Sequence, residues 1–232
     1  MRFSVYKGDR PSDGATNLAA ALDATVLRSS GSTYRGRPNN LLINWGSYSA
    51  EARRLWGLAA VKLNNPEATR GASDKRAALS RLSDQRLPCV PFWGGNSISE
   101  VYQYVLNGGR AYARTVLSGH SGDGIVLLIN QRDSQLDALR GAGVDHYVIG
   151  EGVADDFGRR FGSCQLFTQG ITGHRHEWRV HVFNGQAILS QLKMRRSGFQ
   201  EIGGYTSLVR NHGAGYVYGV NYTREDHPEL AQ

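Results

Sequence analysis

A segment whose side chains fall alternately on two faces, and which contains an arginine, leads into a glycine-rich turn near the middle of the chain. Residues 110–117 alternate as a strand does, and the unbroken apolar run 125–129 predicts a second strand, buried on both faces. Glycines in the turn leave backbone N–H groups open to close approach by a phosphate, whose charge Arg114 could meet. The segment therefore predicts a hairpin that could bind an anion. An ordinary glycine turn with a solvated Arg114 is the alternative.

A second hairpin pattern carries charges on one strand face. Residues 177–183 alternate strictly, so that Glu177, Arg179 and His181 share a face. Asn184-Gly185 is a strong hairpin turn signal, and the return strand ends near Lys193. Because burying such charges among apolar groups is costly, the face either lines a polar cleft or lies in solvent.

Composition narrows the class of partner. The chain has 232 residues, 40% hydrophobic and 20% charged, as in a globular protein. A net charge of +7 and a pI near 9.6 predict an anionic partner, such as a nucleotide, a nucleic acid or an acidic peptide. A solvated basic face is the alternative for the last third, where basic residues are concentrated: Arg159, Arg160, Arg175, Arg179, Lys193, Arg195, Arg196 and Arg210.

Targeting signals and metal motifs are lacking in the sequence. The N-terminus has no long apolar signal-peptide core and no apolar run reaches about 18 residues, which predicts a cytoplasmic protein. Cys89 and Cys164 have no metal-ligand spacing, so we expect buried thiols.

Periodicity predicts the elements between these motifs. We expect helices over 15–27, 49–63 and 73–82, the last capped by Ser73 or Asp74 with Lys75 in its first turn. A capping box formed by Ser97 and Glu100 should begin another helix. Further expectations are strands over 41–46, 86–92, 147–149 and 164–168, a short helix over 133–140, a loop or single helical turn over 155–160, and Trp45 in the core.

The ordered set of motifs resembles the ATP-grasp fold. It consists of Asp74-Lys75 at a helix start, the segment 87–91, the Arg114 strand with the glycine turn 119–125, the segment 177–182, and Lys193. It is most similar to carboxylate–amine ligases often found in tailed-bacteriophage genomes, and more distantly to ribosomal-protein glutamate ligases. Residues 41–46 and 63–66 resemble the N-terminal segment of that group, so the resemblance covers roughly residues 40–220.

The resemblance implies an α/β (α+β) architecture in three parts. A small N-terminal α/β unit, 1–70, would precede two subdomains, 71–168 and 169–232, that sandwich ATP. The second subdomain would be incomplete. The family's magnesium ligands lie on strands after an Arg-x-Asn region that Arg210-Asn211 resembles, and we expect no such strands before Gln232.

The resemblance also implies a reaction. A carboxylate would attack the γ-phosphate of ATP, and an amine would attack the resulting acyl phosphate, with Mg²⁺ as the metal. The substrates are unidentified; a peptide or protein terminus is one possibility. Because the family's metal ligands have no counterpart here, we expect a truncated or split form that binds ATP better than it turns it over. The alternatives are that a partner supplies the acids or that activity has been lost.

Roles for individual residues follow from the same resemblance. The phosphates would be held by Lys75, Arg114, Gly119, His120, Ser121, Gly122 and Gly124. The adenine would lie near 165–169, contacted largely through the backbone of Gln165, Phe167 and Thr168. Glu177 and Asn211 would complete the nucleotide site, and the catalytic cations would be Arg179, Lys193 and Arg210. Gly170 departs from the family, which usually has a bulky residue there.

A second hypothesis belongs to a different class. The basic last third could make the chain a non-catalytic nucleic-acid-binding protein. Against this, Phe and Tyr are not interleaved with the basic residues in a single-strand-binding pattern.

Overall fold

The computed structural model describes residues 1–8, 12–118, 124–141, 145–171, 176–197 and 215–219, without the side chains of 138, 140 and 141. Contacts divide the chain into two units, Met1–Pro88 and Cys89–Gln232. The division into 1–70, 71–168 and 169–232 stays a prediction. No helix among the described residues is long and apolar enough to cross a membrane.

The first unit is a parallel α/β unit. Its elements are β1 (Arg2–Tyr6), α1 (Asp13–Ala21), β2 (Thr25–Leu27), β3 (Asn40–Asn44), α2 (Ala50–Leu58), β4 (Val61–Leu63), α3 (Pro66–Ser73) and α4 (Lys75–Asp84). The strands are all parallel in the order β2-β1-β3-β4. Two core clusters alternate along β1 and β3: Val5 and Ile43 pack with α1, and Tyr6 and Leu42 pack with α2.

Two predicted helices in this unit are too long. The helix expected over 15–27 ends at Ala21, because Asp23 adopts a positive φ of 48° and the β-branched Thr25 and Val26 then pair with β1. The helix expected over 49–63 ends at Leu58, and Val61–Leu63 joins β3 as a parallel strand. In both cases pairing with a distant strand overrides the local pattern.

The second unit contains two sheets. Its elements are β5 (Phe92–Gly94), a 3-10 turn (Gly95–Ser97), α5 (Ile98–Leu106), β6 (Ala111–Arg114), β7 (Ile125–Asn130), α6 (Leu136–Gly141), β8 (His146–Ile149), α7 (Ala154–Phe161), β9 (Leu166–Gln169), β10 (Trp178–Phe183), β11 (Gln186–Arg195) and β12 (Tyr216–Gly219). The larger sheet has the order β5-β9-β6-β7-β8, and the smaller one is antiparallel in the order β10-β11-β12.

The larger sheet is covered on both faces. Ala111, Ala113 and Phe167 belong to a buried cluster that also contains residues of α5 and α7. On the other face Leu127 and Ile129 pack with residues of α6. The prediction from its unbroken apolar run, that β7 is a strand buried on both faces, is therefore confirmed.

Several local expectations in and near this unit are corrected. The strand expected over 86–92 is Phe92–Gly94, which begins only after Pro91 because prolines cannot donate to a strand ladder. α5 begins at Ile98 as predicted, but Ser97 makes no side-chain cap bond, since the 3-10 turn gives it a non-extended backbone. Residues 154–161 form a full helix rather than a loop or one turn. In the first unit Trp45 is 40% exposed, so it does not fill the core.

Candidate functional site

Arg114 lies at the end of the first predicted hairpin, which the structure confirms. β6 pairs antiparallel with β7, and Arg114 stands opposite Ile125 on one side and Leu166 on the other. The Thr115 backbone N–H and Oγ1 both donate to the Gly124 carbonyl, at 2.8 and 3.1 Å, and so close the turn. Gly124 has a φ of +65°, as expected for a turn glycine. The remaining predicted loop residues lie outside the described part: Gly119, His120, Ser121 and Gly122.

The Arg114 side chain is half-buried, and its Nε is fully enclosed. This Nε has no hydrogen-bond partner among the described residues. Burial lowers the pKa of Arg114 from its ordinary value, and the nearby Tyr112 opposes this only in part. A buried unpaired donor costs free energy that a bound anion would recover. The geometry thus fits an arginine that binds a phosphate or carboxylate.

The backbone of this strand end is held by Cys164. The Cys164 thiol donates to the Arg114 carbonyl at 3.4 Å and to the Leu166 carbonyl at 3.3 Å. Burial raises the pKa of this thiol, so it stays protonated and able to donate. The expectation of a buried thiol is confirmed for Cys164, whereas Cys89 is only half-buried.

The predicted adenine segment is an internal strand. β9 lies between β5 and β6, with Gln165 exposed just before it and with Phe167 and Thr168 buried within it. The Gln169 N–H donates to the Pro91 carbonyl at 2.9 Å, and the Gly170 N–H donates to the Arg110 carbonyl at 2.7 Å. Backbone donors at both residues are thus already used inside the protein. Adenine recognition here stays a prediction.

Gly170 is required by the local packing. A Cβ at this position would lie 2.9 Å from the Arg110 Cβ and 3.0 Å from its carbonyl oxygen. The close approach of the two backbones leaves no room for the bulky residue that the resemblance leads one to expect.

The second hairpin places its charges together as predicted. Asn184 and Gly185 form the turn with positive φ values of 49° and 76°. Lys193 Nζ lies 2.6 Å from Glu177 Oε1, and the Lys193 N–H donates to the Glu177 carbonyl at 2.8 Å. The Lys193 side chain is only 11% exposed, so its charge is held close to its partner.

Tyr218 brings Arg179 and Lys193 to one point. Lys193 stands opposite Tyr218 in the β11–β12 ladder, with Nζ 5.4 Å from the ring centroid. Arg179 reaches across β11, and its Cζ lies 3.8 Å from the same centroid. Beside them, His181 Nε2 lies 2.9 Å from Gln191 Oε1. Two cations held over one aromatic ring form a compact positive site.

Sequence reasoning missed Tyr218 and the strand β12 that carries it. The available signal was the alternation of Tyr216 and Tyr218 between two glycines. β12 contains no carboxylate. Arg210 and Asn211 themselves lie outside the described residues.

Lys75 belongs to the first unit. The predicted helix start is confirmed: Asp74 is the N-cap of α4 and accepts from the Ala77 N–H at 3.0 Å. Lys75 is the first helical residue and is half-buried. Its role in phosphate binding stays a prediction.

The described arginines of the last third are exposed, and each also makes contacts within the chain. Arg159 pairs with Asp156 at 3.3 Å, and Arg160 stacks over the rings of Tyr147 and Phe161. Arg195 and Arg196 also make contacts within the protein. Arg175 lies outside the described residues, as Arg210 does. Because these arginines are exposed as well as paired, the solvated basic face stays a prediction.

A metal site is not evident in the described part. No group of three or more His, Cys, Asp or Glu side chains there could hold an ion. Glu177, the carboxylate of the charged face, already pairs with Lys193.

The chain resembles solved structures in fold only. No family model matches it, and no curated protein does. D-alanyl-alanine synthetase A from Vibrio cholerae has a TM-score of 0.55 at 13% identity, over 99% of this chain and 77% of that one. D-alanine–D-alanine ligase from Bacillus anthracis has a TM-score of 0.56 at 14% identity, over 99% and 74%. An ATP-grasp RimK domain protein from Sphaerobacter thermophilus reaches 0.47 at 14% identity, over 100% and 96%.

The likeness to the two D-alanine enzymes confirms the predicted fold class. The chain has a mixed α/β architecture with several sheets, as those two structures do. At 13–14% identity the likeness concerns the fold and not the activity. Kinship with bacteriophage ligases stays a prediction.

Proposed function

We propose that this chain is an ATP-dependent ligase that joins a carboxylate to an amine. The observation that carries the proposal is the Arg114 guanidinium, half-buried at the hairpin end with no partner for Nε among the described residues. The fold is that of ligases, and phosphate binding by an arginine at the glycine-rich hairpin agrees with that fold. The acid and the amine remain unassigned.

The reaction would proceed in two displacements. A carboxylate oxygen attacks the γ-phosphorus of ATP, the bond to the β,γ-bridging oxygen breaks, and ADP leaves with the electron pair. The amine nitrogen then attacks the acyl carbon of the acyl phosphate, inorganic phosphate leaves, and the nitrogen loses a proton to water. Such phosphoryl transfer depends mainly on positioning and on neutralising charge.

Different residues of the chain would bind the phosphates and neutralise the charge of the transferring group. Arg114 binds the phosphates through its guanidinium, whose Nε has no partner among the described residues. Arg179 and Lys193 neutralise the transferring phosphoryl group, and the Tyr218 ring keeps the two cations in place. Glu177 holds the Lys193 ammonium by its ion pair and offsets part of the repulsion between the cations. Magnesium, which accompanies ATP in such ligases, has no ligand group among the described residues, so no step is derived through it.

Nucleic-acid binding is the second candidate. Arg159, Arg160 and Arg179 contact carboxylates or rings of the chain itself but are exposed, so they can still meet phosphate backbones. A thermal shift with ATP and magnesium, run beside a salt titration with an oligonucleotide, separates the two functions. The ligase proposal predicts that ATP with magnesium stabilises the protein and that the oligonucleotide does not. A shift produced only by the oligonucleotide, and lost with added salt, would overturn it.

Lys75 offers a separate test with a matched neighbour. If Lys75 holds a phosphate, then Lys75→Ala should weaken ATP binding about tenfold, as for one charge-assisted hydrogen bond. Arg76→Ala removes an equal charge from the next, exposed position of α4 and should leave affinity unchanged. Equal losses in both variants would assign the effect to general charge and remove Lys75 from the site.

A further inference from the structure

A cavity of about 1110 Å³ lies in the first unit, at the amino ends of its parallel strands. Its lining includes the first residues of three strands: Arg2 of β1, Thr25 of β2 and Asn40 of β3. α/β proteins usually place ligands at the opposite, carboxyl ends of their strands. The cavity is therefore a feature that the ligase fold does not by itself explain.

The charge of the cavity is of one sign. No Asp or Glu is among the lining residues. The lining contains four exposed arginines: Arg2, Arg28, Arg35 and Arg37. In the described part of the chain, none of the four has a carboxylate within ion-pair distance. Other arginines of this unit, such as Arg53 and Arg54, do pair with glutamates. Four cations left together around a concavity repel one another unless an anion enters.

A polar group inside the cavity wall is also left without a partner. Tyr34 lines the cavity and is only 7% exposed, and its buried hydroxyl makes no hydrogen bond among the described residues. Burial raises the pKa of Tyr34, so the hydroxyl stays neutral and able to donate. A buried, unsatisfied hydroxyl is costly, and a ligand acceptor would satisfy it.

The segment that carries Tyr34 is held in place. The Ser32 N–H donates to Glu51 Oε1 at 3.2 Å, and Arg54 Nη2 donates to the Ser32 carbonyl at 3.0 Å. Gly36 lies so close to α2 that a Cβ there would be 1.8 Å from the Leu58 carbonyl oxygen. Between Ser32 and Arg37, burial alternates with exposure residue by residue. The wall of the cavity is thus anchored to the fold rather than a loose loop.

We propose that this cavity binds a small anion that carries several phosphate or carboxylate groups. Guanidinium groups match both kinds of oxyanion in bidentate geometry, which is why the ligand class includes both. Arg2, Arg28, Arg35 and Arg37 supply the charge, and the Tyr34 hydroxyl supplies one neutral donor. The site belongs to the first unit and does not depend on Arg114 or on the proposed ligase activity.

Calorimetry with tripolyphosphate and with citrate tests the proposal and separates phosphate from carboxylate. The Arg35→Gln/Arg37→Gln double variant should lose at least about tenfold in affinity for the preferred anion. The Arg70→Gln/Arg86→Gln variant removes two other exposed arginines of the same unit and should bind within about twofold of the parent chain. Equal losses in the two double variants would show non-specific charge and overturn the proposal, as would the absence of binding by both anions.

Two further variants locate the site. Tyr34→Phe keeps the ring in the core but removes the hydroxyl, so it should weaken anion binding while the urea midpoint is kept or raised. Arg132→Ala should leave tripolyphosphate and citrate binding intact, because Arg132 is an exposed arginine of the other unit. Loss of small-anion binding in Arg132→Ala, or unchanged affinity in Tyr34→Phe, would contradict the assignment. An oligonucleotide that binds through the same arginines when both small anions fail would replace it.

Discussion

Lys193 and Glu177 are joined twice, by a 2.6 Å ion pair between their side chains and by a 2.8 Å hydrogen bond between their backbones. The pair stands at the end of the β10–β11 ladder. Arg179 of β10 and Tyr218 of β12 lie on the same face of this sheet. Because Lys193 is largely buried, Glu177 is what makes its charge tolerable at this position. The ion pair therefore orders the cation that we assign to phosphoryl transfer.

Replacing Glu177 should destabilise the smaller sheet. Glu177→Gln leaves the Lys193 charge without its ion partner, and we expect the free energy of unfolding to fall by about 1–2 kcal/mol, a value reduced by the partial exposure of Glu177. Glu67→Gln is the control, since the Arg53–Glu67 pair is exposed on both sides and should change stability by less than about 0.5 kcal/mol. Urea denaturation measures both. Equal effects would mean that burial of Lys193 does not matter.

Asp133 should make stability depend on pH in acid. Arg110 donates to both Asp133 oxygens at 2.8 Å, and this holds the pKa of Asp133 below its ordinary value. A carboxyl group whose pKa is lowered on folding stabilises the protein above its unfolded pKa of about 4, and that stability is lost as the pH falls through the folded pKa. Asp133→Asn should cost about 3 kcal/mol at pH 7 and flatten the stability profile below pH 4.

Glu151→Gln is the matched control for Asp133. Arg132 and Glu151 are 3.5 Å apart and 79% exposed on both sides, so their pair should contribute almost nothing. A Glu151→Gln variant as unstable as Asp133→Asn would show that surface charge, rather than the buried pair beside β6, sets the acid stability.

Alanine substitutions at Gly36 and Gly31 distinguish the cost of lost close packing from the cost of a strained backbone conformation. Both have φ values near +60°, but a Cβ on Gly36 would meet the Leu58 carbonyl at 1.8 Å, whereas one on Gly31 meets nothing within 4 Å. Gly31→Ala should cost about 1–2 kcal/mol through its φ alone. Gly36→Ala adds the clash with α2 and should cost several kcal/mol or unfold the first unit. Similar urea midpoints for the two variants would show that the segment moves away freely.

Local patterns predicted the hairpins well. The Arg114 hairpin and the Asn184-Gly185 hairpin depend on neighbouring residues, and alternation with a turn signal identifies both strands. The short parallel strands β2 and β4 were read as helix ends, because their pairing partners are distant in sequence and their own residues carry no strand signal strong enough to compete. α3 was missed for the same reason: its best signal, Pro66 at the first helical position, was read as the end of the preceding helix.

The candidate site was predicted in part. Charged residues at strand positions identified Arg114, Arg179, Glu177 and Lys193, because a charge in a strand pattern is conspicuous. Tyr218 looks like an ordinary strand residue, and only the register of β12 against Lys193 gives it a role. The unpaired Nε of Arg114 is likewise a property of packing, which no sequence pattern contains.

The most direct test of the ligase account compares Arg114→Ala with Arg132→Ala by calorimetry with a non-hydrolysable ATP analogue. Arg132 is 79% exposed in the same unit and serves as the control. We predict that Arg114→Ala lowers affinity about ten- to a hundredfold, as for one lost charge-assisted hydrogen bond of about 1.5–3 kcal/mol. Its urea midpoint should be unchanged or raised, because the buried Nε has no partner to lose among the described residues. Unchanged nucleotide affinity in Arg114→Ala, in a folded variant, would contradict the account.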